Sequence, residues 1–474
     1  MSSQAARRGL AGVAGAALAF PAPASAHGIA QRADLPIPEW LFAWGAALAL
    51  LISFAALALL WPSPRLEGAR ERVLLRVPRG LEVLAGVLGL AAFAAVVYSG
   101  LAGSQTATAN LAPTAVFVIF WVGIPLASVV AGDVFAVINP WRSVARAVSW
   151  LVTRFDGVSM PAPLPYPERV GRWPAAVGIL LFAWFELVST SREDPSTLAL
   201  LALAYAAIML VGMALYGIDA WTRNADAFAA AFGLFALLAP LRWDSRRLYL
   251  RAPLTGAPGM PAGAGSVALV CVVIAATSFD GFSQGSLWTG AGGLAERFAN
   301  AFGDLGLGRE AAVQAAYSAG LIAVVLLIAG LYRAGIAGMR SFGGDGDSTA
   351  LARRFAHTLV PIALAYVVAH YFSLLLFQGQ AVSFLVSDPL GDGSDLFGSA
   401  GSTIDYGLIS ATGIWYVQVA ALVIGHVAGL VLAHDRALTT WSDSRTATRS
   451  QYWMLAVMIA FTSLGLWLLS AASQ

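Results

Sequence analysis

Lysine is absent from this chain of 474 residues, so all 28 residues in the Lys plus Arg count are arginines. Cysteine occurs once, at Cys271, which excludes an intramolecular disulfide and any cysteine-based zinc site. Charge is scarce as well: Asp, Glu, Lys and Arg together make up 11% of the residues, against roughly 25% in ordinary soluble domains. With hydrophobic residues at 58%, this excludes both a soluble globular protein and a disordered one. The formal net charge of +2 is too small to suggest a nucleic-acid partner. No H-E-x-x-H, H-x-H or Walker A motif occurs and no serine-nucleophile elbow is expected, so any hydrolytic chemistry is expected to need metal-activated water.

What remains is the composition of an all-α, polytopic integral membrane helical bundle with the lipid bilayer as its solvent. The first 26 residues have the pattern of a cleavable signal peptide: Arg7 and Arg8, a short apolar run, and Ala24-Ser25-Ala26 as the cleavage pattern. Residues 27–37 are then a short periplasmic N-terminus, and 38–474 a single transmembrane domain. Cleavage after Ala26 would make His27 the first residue, joining a free α-amine to an imidazole, a pair able to chelate a transition metal.

Runs of about 20 mostly apolar residues are long enough to cross a bilayer. Ten candidates occur, at 38–61, 80–101, 112–131, 173–190, 196–217, 265–279, 317–332, 355–377, 411–433 and 452–470. An eleventh, 225–238, is short and has Arg223 before it and Arg242, Arg246, Arg247 and Arg251 after it. If it crossed, those arginines would fall outside, against the positive-inside tendency. If it dips in and returns, or lies on the inner surface, only Arg32, Arg192, Arg297 and Arg309 of the mature chain lie outside. The expected topology is therefore ten full spans, both mature ends periplasmic in a bacterial inner membrane, and a re-entrant or interfacial 225–238. On the inner side, Asn139 is placed to cap an amphipathic surface helix that opens with Pro140 and Trp141 and includes Trp150.

Ionisable groups inside spans are functional candidates by default. Glu186, Asp280 and His370 all fall in the outer halves of their spans, and His426 lies deeper. Together they are the candidate reaction centre: Glu186, Asp280 and His370 as catalytic groups, and His27, His370, Glu186 and His426 as ligands of a divalent transition metal, zinc or copper. Tyr366, Trp415 and Gln418 are candidate substrate contacts, Tyr366 because it stands one turn before His370 and Trp415 because it stands close to three turns before His426. Gly425 and Gly429 at G-x-x-x-G spacing suggest close helix packing around His426. The run 278–283 either shapes a pocket beside Asp280 or is a polar helix exit. Asp133 and Asp219 are expected as caps or arginine partners, His357, His434 and Asp435 as solvated groups near the inner surface, and the Asp388–Gly393 run as a solvated turn.

The segments His27-Gly28-Ile29, 32–42, Gly132-Asp133-Val134-Phe135, Asn139-Pro140-Trp141 and Trp184-Phe185-Glu186-Leu187 resemble bacterial multi-span proteins of the fenitrothion hydrolase type. The resemblance implies hydrolysis of an organophosphorus triester, a small apolar substrate, with release of a nitrophenol. It brings no catalytic residues with it. The competing class is transport: many spans, a re-entrant candidate and buried charges also describe a secondary transporter or a metal-handling membrane protein.

Overall fold

A computed structural model of the chain describes residues 39–155, 163–244, 246–342 and 347–471. The signal segment and His27 lie outside the described residues. Helix α1 (Glu39–Leu60) leads through strand β1 (Arg72–Arg76) into α2 (Arg79–Ala102). The segment Leu111–Ala131 starts as α3 (Leu111–Pro113), widens into a π-helical stretch (Thr114–Gly123) and ends as α4 (Ile124–Ala131). Then come α5 (Val134–Ile138), α6 (Pro140–Phe155), α7 (Trp173–Val188), α8 (Pro195–Tyr216), α9 (Ile218–Asn224) and α10 (Ala227–Ala236). Strands β2 (Leu241–Asp244) and β3 (Arg247–Leu250) precede α11 (Ser266–Gln284), α12 (Ser286–Thr289), α13 (Leu294–Asp304) and α14 (Arg309–Arg340). The chain closes with α15 (Ser348–Phe355), α16 (Val360–Gln378), α17 (Val382–Ser387), α18 (Ala411–Thr440), α19 (Ser444–Ser450) and α20 (Tyr452–Ala471).

Among the described residues, seven helices are long and apolar enough to cross a membrane: Arg79–Ala102, Leu111–Ala131, Pro195–Tyr216, Ser266–Gln284, Arg309–Arg340, Ser348–Ser387 and Ala411–Thr440. Trp44–Leu60, Trp173–Val188 and Ala227–Ala236 are shorter apolar helices. Five of the 26 acidic residues stand at helix starts. Asp133, Asp194, Asp226, Asp347 and Asp443 each accept a hydrogen bond from a backbone N–H in the first turn of the helix they precede, which satisfies donors the helix cannot satisfy itself.

The arginine-bearing connections meet at one end of the bundle. Asp435 of α18 accepts from Trp61 Nε1 at 3.0 Å and from the backbone N–H groups of Arg65 and Leu66. Arg436 pairs with Glu67 at 2.6 Å and donates to Pro258 O, and Arg146 of α6 pairs with Glu82 of α2 at 2.7 Å. At the other end the 103–111 connection meets the loop that follows α17: Ser104 N donates to Leu390 O, and Leu111 N to Pro389 O.

Three expectations need correction. The chain is not purely helical, because β1, β3 and β2 form a three-stranded antiparallel sheet in that order. Alternating arginine and apolar residues suit these strands, whose faces need not both be buried. His357, His434 and Asp435 are not solvated but buried: the 61–67 connection folds over the end of α18, and His434 Nε2 sits 3.1 Å from Trp61 O. Trp141 is likewise buried rather than interfacial, while Trp150 on the same helix is exposed. Asn139 does cap α6, its Oδ1 accepting from Arg142 N. Asp219 partners Arg142, and Asp388 is satisfied by the backbone of its own turn, at Asp392 and Gly393.

Helix α10 sits among Phe120, Trp121, Phe135 and Phe182, with Phe228 and Phe232 forming edge or tilted ring contacts to them. Its two ends are held by opposite charges. At the start, fully buried Asp226 accepts from Trp141 Nε1, Asn139 Nδ2, Tyr205 OH and Ala229 N. Past the end, Arg251 donates to the carbonyls of Ala236, Leu237 and Ala239. An anion at the N-terminus and a cation at the C-terminus both complement the helix dipole. The chain leaves α10 into β2, whose Trp243 donates to Ala131 O beside α5. Asp226 at the start of α10 is thus tied to the head of α6, and the strand that follows α10 to the end of α4.

Candidate functional site

Three helices, α7, α11 and α16, carry Glu186, Asp280 and His370. Helix α11 is apolar for most of its length and closes with Ser278-Phe279-Asp280-Gly281-Phe282-Ser283-Gln284. Asp280 is fully buried. His370 Nε2 of α16 lies 2.9 Å from Asp280 Oδ2, and Tyr371 OH donates to that same oxygen at 2.9 Å. Consecutive helical residues point about 100° apart, so α16 straddles the carboxylate with two neighbouring side chains. Gly281 lies beside the imidazole: a Cβ there would be 3.5 Å from His370 Nδ1, an ordinary van der Waals contact. The side chain of His370 is 11% exposed while that of Asp280 is 0% exposed, so the imidazole is the group of this pair that reaches outward.

Glu186 of α7 is buried and within electrostatic reach of Asp280 and Tyr371. The fold therefore brings Glu186, Asp280 and His370 into one neighbourhood, as their depth along the spans suggested. Sequence reasoning missed Tyr371, whose only signal is its place next to His370. Tyr371 also lines a narrow apolar cavity with Trp121, Pro125, Ala231, Phe232, Phe235, Val273 and Val367. It offers about 10 Å³ to the centre of a water molecule, which is near the minimum for a single water. Pro125 lies two residues past the end of the π-helical stretch. It lacks an N–H, so the turn there cannot supply the usual main-chain donor to the preceding carbonyls.

The other candidates serve other contacts. His426 is fully buried, with Nδ1 2.7 Å from Leu422 O in its own helix. Gly425 and Gly429 do pack closely: a Cβ at Gly425 would collide with Ala365 Cβ, and one at Gly429 would lie 2.8 Å from Thr358 O. Tyr366 is one turn from His370, but its hydroxyl donates to Phe461 O of α20, and its ring centroid is 6.2 Å from that of His426. Trp415 packs edge-on against Phe42 of α1. Gln418 is buried on α18, and the antiparallel register set by Gly425 and Gly429 carries it to about the level of His370.

Two chemical points follow. Gly281-Phe282-Ser283-Gln284-Gly285 has G-x-S-x-G spacing, but it ends a helix instead of joining a strand to one, and Ser283 Oγ donates to Asp280 O of the same helix. The strained elbow that exposes a nucleophile is therefore not built here, and 278–283 is a helix exit. No group of three or more His, Cys, Asp or Glu side chains is placed to hold a metal ion among the described residues. No family model, curated protein or solved structure matches the chain.

Proposed function

We propose that the chain is a multi-pass membrane protein whose Glu186–Asp280–His370–Tyr371 cluster takes up and releases a proton, and that this cluster is the coupling site of a secondary transporter. The observation that carries the reading is the meeting of His370 Nε2 and Tyr371 OH on one oxygen of a fully buried carboxylate, with a second buried carboxyl group in reach. Two carboxylates held out of water repel each other and lack hydration. A shared proton relieves both costs, and His370 and Tyr371 supply the hydrogen-bonding partners that move with it. The adjacent cavity has the size of a water molecule, which suits a proton and not a bulky organic substrate.

In this reading ten helices cross the bilayer and α10 is a re-entrant half-helix, shielded by protein as irregular membrane segments must be. The arginine-bearing end faces the cytoplasm, and Glu186, Asp280 and His370 lie in the leaflet nearer the periplasm. Support comes from the joining of the arginine-bearing loops at one end and from the ties of the start of α10 to the head of α6 and of the strand after it to the end of α4. The test is uptake into proteoliposomes under an imposed proton gradient: gradient-driven accumulation that is lost in Asp280→Asn supports the reading, whereas accumulation indifferent to the gradient opposes it.

A second reading is hydrolysis of an organophosphorus triester, the activity implied by the resemblance. What favours it is the Asp280–His370 pair itself, since a carboxylate that orients an imidazole makes a general base for water. Turnover of a chromogenic triester by purified protein, abolished in His370→Gln, would establish this reading in place of transport.

A further inference from the structure

A different cluster stands at the arginine-bearing end, where α7 begins. Arg172 is the N-cap residue of this 16-residue helix, with Pro174 in its first turn. Although only 9% exposed, its Nε and Nη1 take no hydrogen-bond partner among the described residues. Burial pulls the Arg172 pKa down to about 10, and the charge that adds to this is another cation, Arg223. A third donor without an acceptor among the described residues, Trp221 Nε1, belongs to the same neighbourhood. Tyr166 OH donates to Gly171 O beside Arg172, and the Tyr166 ring lies 6.2 Å from that of Trp221, which is itself stacked on Tyr216. Arg223 is anchored through Nε to Asp219 O. The place is thus rich in buried donors and in positive charge, including the positive end of the α7 dipole, and poor in acceptors. A buried cation without a counter-ion is costly, and an anion at a helix N-terminus with guanidinium groups is a familiar way to balance it.

We propose that Arg172, Arg223 and Trp221, with the N-terminal turn of α7, form a binding site for a phosphate group. The same chemistry is presented by inorganic phosphate and by the headgroup of an anionic phospholipid. Arginine suits either, because its planar fork pairs with two phosphate oxygens at once. The site is separate from the Asp280 cluster and does not depend on the transport reading.

The test is thermal unfolding of the full chain in phosphatidylcholine nanodiscs, titrated in one arm with phosphatidylglycerol and in the other with inorganic phosphate. The expected result is a saturable rise in Tm in at least one arm. A rise confined to the first identifies a lipid site, and a rise with free phosphate identifies a soluble anion. The rise should vanish in Arg172→Gln, and its midpoint should move to higher concentration in Arg223→Gln. Arg154→Gln, at an arginine on the same end, should leave it unchanged. The proposal is overturned if neither arm gives a saturable rise, if Arg154→Gln weakens binding as much as Arg223→Gln does, or if the rise persists in Arg172→Gln. Should Arg172→Gln fail to fold, an unchanged midpoint in Arg223→Gln overturns it instead.

Discussion

His370 and Tyr371, neighbours in the chain, both bond the same oxygen of Asp280: the imidazole Nε2 and the phenol O each lie 2.9 Å from Oδ2. Removing either takes one of these two contacts from the carboxylate. Tyr371→Phe keeps the ring and deletes the donor, at a cost of about 1–3 kcal/mol for a buried hydrogen bond of this kind. Its expected signature is a folded protein whose activity shows a displaced pH profile. Thermal unfolding and transport measured across pH check both halves.

Asp226 is the keystone of α10. Its carboxylate accepts from Trp141, Asn139, Tyr205 and the Ala229 amide, so Asp226→Ala strands several buried donors. The expected loss is about 3–5 kcal/mol, the scale for breaking a buried charged network. Asp226→Asn keeps the size but turns acceptors into donors, and is expected to be intermediate. Tm in detergent should fall in the order wild type, Asn, Ala.

Contact between α16 and α18 depends on Gly425. A Cβ there would collide with Ala365 Cβ and stand 2.7 Å from Pro361 O, so Gly425→Leu must push the helices apart. Overpacking of this sort costs about 1–3 kcal/mol, and the amides around His426 should lose exchange protection with it. The unfolding midpoint of Gly425→Leu should fall accordingly. Ile424→Leu, at an exposed position on the same helix, is the control and should leave the midpoint unchanged.

The loop carrying Asp395 should respond to acid. A hydrogen bond from Ser387, followed by one from the Ala400 amide, holds the Asp395 carboxyl below its ordinary value of 3.8. A carboxyl lowered in the folded state supports the loop above the ordinary value, and that support is lost as pH falls through the lower folded value. Amide exchange or limited proteolysis across 387–400 should therefore stay flat down to about pH 4 and rise below it. Ser387→Ala lets the folded value rise toward the ordinary one and should shrink that acid-induced rise.

Side labelling checks the membrane layout. In a Cys271→Ser background, cysteines at Arg70 and Gly401 lie in connections at opposite ends of the bundle. A membrane-impermeant maleimide added outside spheroplasts should label Gly401→Cys and spare Arg70→Cys.

Much of this was legible in the sequence. Apolar run lengths located the helices, and arginine placement separated the two ends, because both reflect local composition. Glu186, Asp280 and His370 stood out because charge is costly among apolar residues. Less legible were features that arise only when distant segments meet. Tyr371 looked like one more membrane aromatic until α11 was packed against α16. Asp226 sat in an ambiguous stretch, and its meaning depends on Asn139 and Trp141, 87 and 85 positions away. His434 and Asp435 were expected in water because they end an apolar run, yet the 61–67 connection covers them. The surroundings of His426 were hidden for a related reason: a span reveals depth, but not that its imidazole turns back to Leu422 O of its own helix.

The most direct test of the proton-binding account is infrared spectroscopy of the reconstituted protein titrated in pH. The account predicts a protonated-carboxyl band that responds to pH, is diminished in both Asp280→Asn and Glu186→Gln, and is shifted in Tyr371→Phe. A carboxyl band that keeps the same pH response in all three variants would contradict it.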